Sequence, residues 1–147
     1  MTLNYATLND AKADLPDDLV TGVDDTTLGR LVSHASRVVG RATRRAVYNT
    51  DNEGMPRSET LRKVFRDATV AQTRSWLESD LVDEVFTGGV TMQASVSSSS
   101  SNGKSITFDN TASDAARANL VGGGLGAEAE LILESVGLLG GMPGVLR

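Results

Sequence analysis

The stretch Thr26–Tyr48, TTLGRLVSHASRVVGRATRRAVY, decides the fold. On a wheel turning about 100° per residue, Leu28, Leu31, Val32, Ala35, Val38, Val39, Ala42 and Ala46 gather on one side. Arg30, Arg37, Arg41 and Arg44 gather on the other. The pattern predicts an amphipathic helix that buries one face and presents arginines on the opposite one. Asp24 or Asp25 stands where the N-cap belongs, and negative charge is favoured there by the helix dipole. Arg41, Arg44 and Arg45 lie toward the other end, where cations are favoured.

Downstream, Ser58 is placed to cap a second long helix over about Glu59–Val82. Leu61, Val64, Phe65, Ala68, Ala71 and Gln72 recur at helical spacing, and Trp76 extends the stripe. The two stripes can face each other as an antiparallel pair across the polar loop 49–57, which holds Gly54 and Pro56. Phe65 and Trp76 read as core residues, with base stacking the lesser reading. Upstream, Thr7 followed by Asp10 reads as a capping box opening a short helix over Leu8–Leu15, stopped by Pro16. Pro16–Gly22 reads as a linker.

Past the second helix, Gly88-Gly89 breaks the pattern. Val90, Met92, Ala94 and Val96 then alternate with polar residues, and Ser105–Phe108 reads as a returning strand. This predicts a β-hairpin over about 90–108 with the tip Ser97, Ser98, Ser99, Ser100, Ser101, Asn102 and Gly103. A disordered serine linker is the alternative. Asp114–Leu120 adds a helical turn or two, and Gly122-Gly123-Gly124 a hinge. Ala127–Val136 reads as a last helix, with Ala129, Ile132, Leu133 and Val136 on one face and Gly137 as its C-terminal cap. The tail Leu138–Arg147 is apolar and glycine-rich, and Pro143 forbids helix there. Such a tail is expected to dock on its own domain or on a partner. The expected class is therefore mainly α, one domain over residues 1–147. Its parts are a small helical bundle (about 5–87 and 111–137), two long antiparallel helices within it, a β-hairpin insertion, and an extended C-terminal tail (138–147).

Length and composition suit one modest core: 147 residues, six aromatics, no cysteine. Disulfides and thiolate metal sites are thereby excluded. No stretch approaches the roughly 20 apolar residues needed to span a bilayer, and the N-terminus lacks a basic-then-apolar leader. Synthesis inside the cell, without a membrane partner, is expected. The net charge of −5 hides three blocks. Residues 1–29 carry six acids (Asp10, Asp14, Asp17, Asp18, Asp24, Asp25) against Lys12, a net −5. Residues 30–76 carry ten bases against four acids, a net +6. Residues 77–147 carry nine acids against three bases, a net −6. Alternating blocks suit complementary faces meeting between copies, and equally suit ordinary solvated helix faces.

Reactive constellations are missing. His34, the single histidine, lies off the apolar stripe, with no acid or second histidine three or four residues on, whereas a metal needs three or four ligands. No G-x-S-x-G elbow occurs. Gly122-Gly123-Gly124-Leu125-Gly126 lacks the Lys-Ser/Thr of a phosphate loop. Asp17-Asp18 and Asp83-Glu84 stand where helix ends are expected. A non-enzyme without cofactor or metal is expected.

The order of elements resembles a known family. The segments are DDTTLGRLVSHASRVVGRATRRAVY, SETLRKVFRDATVAQTRSWLE, the excursion GVTMQASVSSSSSNGKSITFD and the close LGAEAELILESVGLL. Over about residues 5–140 this resembles the ring-forming head-to-tail connector, or adaptor, proteins of long-tailed double-stranded DNA bacteriophages. The resemblance implies a structural neck protein of the virion, assembled in the host bacterial cytoplasm. It implies a homo-oligomeric ring, most often a 12-mer, below the portal protein. That ring continues the DNA channel, receives a stopper or tail-completion protein, and lets double-stranded DNA pass without specific binding. It places a portal-docking segment on Leu138, Leu139, Met142, Pro143, Val145, Leu146 and Arg147, with the hairpin tip toward the channel or the next ring. Arg30, Arg37, Arg41, Arg44 and Arg45 would form a subunit-interface or DNA-facing basic face. The alternative is a nucleic-acid-binding protein using those arginines, against which the overall acidic charge weighs.

Overall fold

A computed structural model of the chain describes residues 4–87 and 115–139. They are mainly helical: α1 Leu8–Asp14, α2 Asp17–Thr21, α3 Asp25–Ala42, α4 Glu59–Glu78, α5 Val82–Thr87, α6 (115–121) and α7 Ala127–Glu134. Among the described residues there is no strand, only an isolated antiparallel bridge between Thr50 and Pro56. The hairpin expected over 90–108 lies outside them. The chain divides into two compact units, Met1–Ser75 with Leu125–Arg147, and Trp76–Gly124.

The larger unit begins as its sequence directs. Thr7 accepts a hydrogen bond from the Asp10 amide at 3.1 Å, and the Asp10 carboxylate accepts one from the Thr7 amide at 3.0 Å. This capping box starts α1, and satisfying two otherwise orphaned donors there contributes about 1 kcal/mol. α1 packs on α3, and a surface ion pair, Lys12 to Asp25 at 2.8 Å, spans the same two helices. Pro16–Gly22 is not the linker expected: α2 occupies most of it, with Pro16 at the N-cap and Asp17 and Asp18 in the first turn. Proline before paired acids was a helix-start signal.

α3 buries Leu28, Leu31, Val32, Ala35, Val38 and Val39, as the wheel requires. It ends at Ala42, short of the expected Tyr48. Thr43 closes it, its hydroxyl donating to the Val39 carbonyl at 2.9 Å. Ala46 and Tyr48 then pack against the core while Val47 between them is 99% exposed, the two-residue alternation of extended chain. The extended path brings the Tyr48 ring to 5.3 Å from Phe65, which also meets Tyr5 at 4.7 Å. Aromatic packing of this kind outweighs the small helix propensity of a few residues.

The core joins Tyr5, Val39, Phe65, Ala68, Ala71, Ala129, Leu133 and Leu138. It draws on the N-terminal segment, both long helices and α7. The Tyr5 ring lies against α3 at Gly40, where a Cβ would make an ordinary contact, 3.4 Å from the phenolic oxygen. The Tyr5 amide donates to the buried Ser36 hydroxyl at 3.1 Å, fixing the entry of the chain.

α4 stops at Glu78, earlier than the expected Val82. Asp80 adopts a left-handed φ of 55°, and the amides of Asp80 and Leu81 close back onto the carbonyls of Leu77 and Trp76. That pair of bonds is a left-handed C-terminal cap, usually given to glycine. α7 ends the same way at Gly137, where φ is 73°. The Gly137 amide donates to Glu134 and the Leu138 amide to Leu133. The expected cap residue is thus in place, although Val136 is exposed and not on the buried face. In the smaller unit Trp76 is fully buried, and its indole N–H donates to the Leu120 carbonyl at 3.1 Å, satisfying an end of α6.

Candidate interaction surfaces

Phe65 and Trp76 are fully buried, which removes them as base-stacking platforms. Arg30, Arg37 and Arg41 on α3, and Arg44 and Arg45 in the turn after it, are all exposed. His34 is half-buried beside them. Burial, and secondly the positive charge of Arg37, hold its pKa below the usual imidazole value, so it is neutral at pH 7 and adds no charge to the face. Opposite charge lies elsewhere on the same unit. Asp14, Asp17, Asp18, Asp24 and Asp25 are exposed along α1, α2 and the start of α3. Glu128, Glu130 and Glu134 are exposed on α7.

The connection 49–57 is more ordered than a polar loop. Its organiser is Asp51. One carboxylate oxygen accepts from the amides of Glu53 and Met55, at 2.9 and 3.0 Å. The other accepts from Arg62 at 2.8 Å. Arg62 also donates through Nε to the Pro56 carbonyl, at 2.6 Å, and Arg57 donates to Thr50 at 2.9 Å. Desolvation pushes the Asp51 pKa up, but the amides of Glu53, Met55 and Gly54 and the Arg62 charge together bring it below its ordinary value. Both oxygens are engaged, so this carboxylate shapes the chain and is not poised for proton transfer. Among the described residues no three His, Cys, Asp or Glu side chains come together to hold a metal. No described helix is long and apolar enough to cross a membrane.

The expected docking segment is divided. Leu138 is only 4% exposed and belongs to the core, with the half-buried Leu139 packed against it. The cap at Gly137 explains this. It turns the chain so that the residue after the cap returns toward the last turn of the helix, and Leu138 and Leu133 are both buried. The start of the tail therefore docks on its own domain. Met142, Pro143, Val145, Leu146 and Arg147 lie outside the described residues, as does the tip Ser97–Gly103. Buried Gln72 does related positioning work: its Oε1 accepts from the Gly126 amide at 2.7 Å, at the N-cap of α7.

Two surface residues escaped the periodicity reading, Val47 at 99% exposure and Leu131 at 68%. Leu131 stands between Glu128 and Glu134 in the sequence, and Val47 shortly after Arg44 and Arg45. A scan against protein-family models finds no match, and searches among curated proteins and solved structures find none either.

Proposed function

We propose that this chain is a structural subunit of a bacteriophage neck, a connector that forms a ring below the portal and continues the DNA channel toward the tail. The observation that supports it best is the separation of exposed charge: arginines along α3 and the turn after it, carboxylates on α1, α2 and α7. Unlike surfaces that attract each other favour head-to-tail contact, and such contact closes into a ring when the rotation per subunit permits. In this reading α3 and α4 run antiparallel, the segment 90–108 is a hairpin, and the tail beyond Leu139 carries the portal contact through Met142, Pro143, Val145, Leu146 and Arg147. A stopper or tail-completion protein binds the far side. The test is electron microscopy and mass measurement of the chain mixed with portal protein. Rings seated on the portal are expected, and a monomer that ignores the portal refutes the reading.

The exposed arginines also favour a second reading, nucleic-acid binding. It requires affinity for duplex DNA that falls steeply with salt and drops when Arg30, Arg37, Arg41, Arg44 and Arg45 become Ala.

A further inference from the structure

Single exposed apolar residues need no explanation. Val47 and Leu131 differ in what surrounds them. Val47 comes two and three residues after the exposed Arg45 and Arg44, with Ala46 between. It stands on extended chain whose neighbours Ala46 and Tyr48 are anchored on the core, so its side chain is held outward. Leu131 sits on α7 with exposed Glu128 three residues before it and exposed Glu134 three residues after. Residues at that spacing share a helix face. Exposed positive charge thus precedes one knob, and exposed negative charge flanks the other along its helix face. Among the described residues none of these four charged side chains is in an ion pair. Both knobs belong to the larger unit.

We propose that the Val47 patch of one copy docks on the Leu131 patch of a second copy, with Arg44 and Arg45 facing Glu128 and Glu134. The two knobs lose water together at the centre, and the charges form the rim that sets register and rejects like patches. Because the surfaces are different, each copy offers one of each, and the contact can propagate. In taking a second copy as the occupant it rests on the neck reading, and it adds the residues of the joint.

The chain has no cysteine, so disulfide trapping reports on introduced thiols alone. The double variant Val47→Cys/Leu131→Cys, oxidised mildly, is expected to give a ladder of multimers, with peptide mapping finding 47–131 disulfides between chains. Single-cysteine variants stop at dimers. Arg44→Glu/Arg45→Glu in the same background should lower multimer yield roughly tenfold or more, and so should Glu128→Arg/Glu134→Arg. Mixing these two reversed proteins should restore the ladder with strict alternation of the two. Circular dichroism checks that each variant keeps its helices, which surface changes should leave intact. No 47–131 link between chains, a link closing within one chain, or ladders indifferent to both reversals would overturn the proposal. Portal-bound rings without 47–131 links would sink this contact and leave the neck reading standing. Links without portal binding would do the reverse.

Discussion

Replacing Gly137 and Leu138 tests whether the cap of α7 anchors the start of the tail. Gly137 has φ 73°, and nothing lies within 4 Å of the position its Cβ would take. Gly137→Ala therefore meets no steric clash, and its cost is the left-handed backbone alone, about 1–2 kcal/mol. Leu138→Ala removes three carbons from a site 4% exposed. At about 0.8 kcal/mol per carbon the transfer loss is about 2.4 kcal/mol, and an unfilled cavity carries it toward 3. If cap and anchor work as one device, either change alone releases part of what the other holds. The double variant should then cost less than the sum by about 0.5 kcal/mol or more. Urea denaturation followed by circular dichroism measures all three. A Gly137→Ala cost near zero, or a Leu138→Ala cost below about 1 kcal/mol, would show that the tail does not begin on this core.

Three other outcomes are expected. Asp80→Gly relieves a left-handed non-glycine residue and should raise stability by up to about 1 kcal/mol; a loss in thermal melting contradicts the cap assigned there. Gln72→Leu leaves the Gly126 amide without the acceptor seen at 2.7 Å, costing about 1–3 kcal/mol, and hydrogen exchange at Gly126 should accelerate. Burial first, then the charge and hydrogen bond of Tyr48, push the Tyr5 pKa up to about 12. The folded state favours the neutral phenol, so this contribution is complete below about pH 10, the unfolded value, and is lost as pH rises toward 12. Denaturation midpoints should fall across that window, and less steeply in Tyr5→Phe.

Local signals in the sequence were read with success where one physical cause dominated. Thr7 and Asp10 made their capping box, Gly137 took its left-handed turn, and the apolar stripe of α3 was buried. Helix ends failed where distant packing decided. α3 stops at Ala42 because Tyr48 has a place beside Phe65, and nothing near Tyr48 in sequence announces that partner. α4 stops at Glu78 with an aspartate doing a glycine's work at position 80, so no breaker was visible. Pro16 both follows the end of α1 and initiates α2, and a proline's role as a stop masks its role as a start. The exposure of Arg30, Arg37 and Arg41 follows the wheel of α3, whereas Arg44 and Arg45 are exposed on the turn beyond its end. Val47 and Leu131 were not, because a reading that seeks buried stripes passes over apolar residues that point outward.

Trp76 is the single tryptophan of the chain, fully buried and belonging to the smaller compact unit. Its intrinsic emission therefore watches that unit from inside, whereas most of the described helical residues, and their ellipticity, belong to the other. Any mismatch between the two optical melting curves would expose a partly opened form in which one unit has come apart before its neighbour, with no label added.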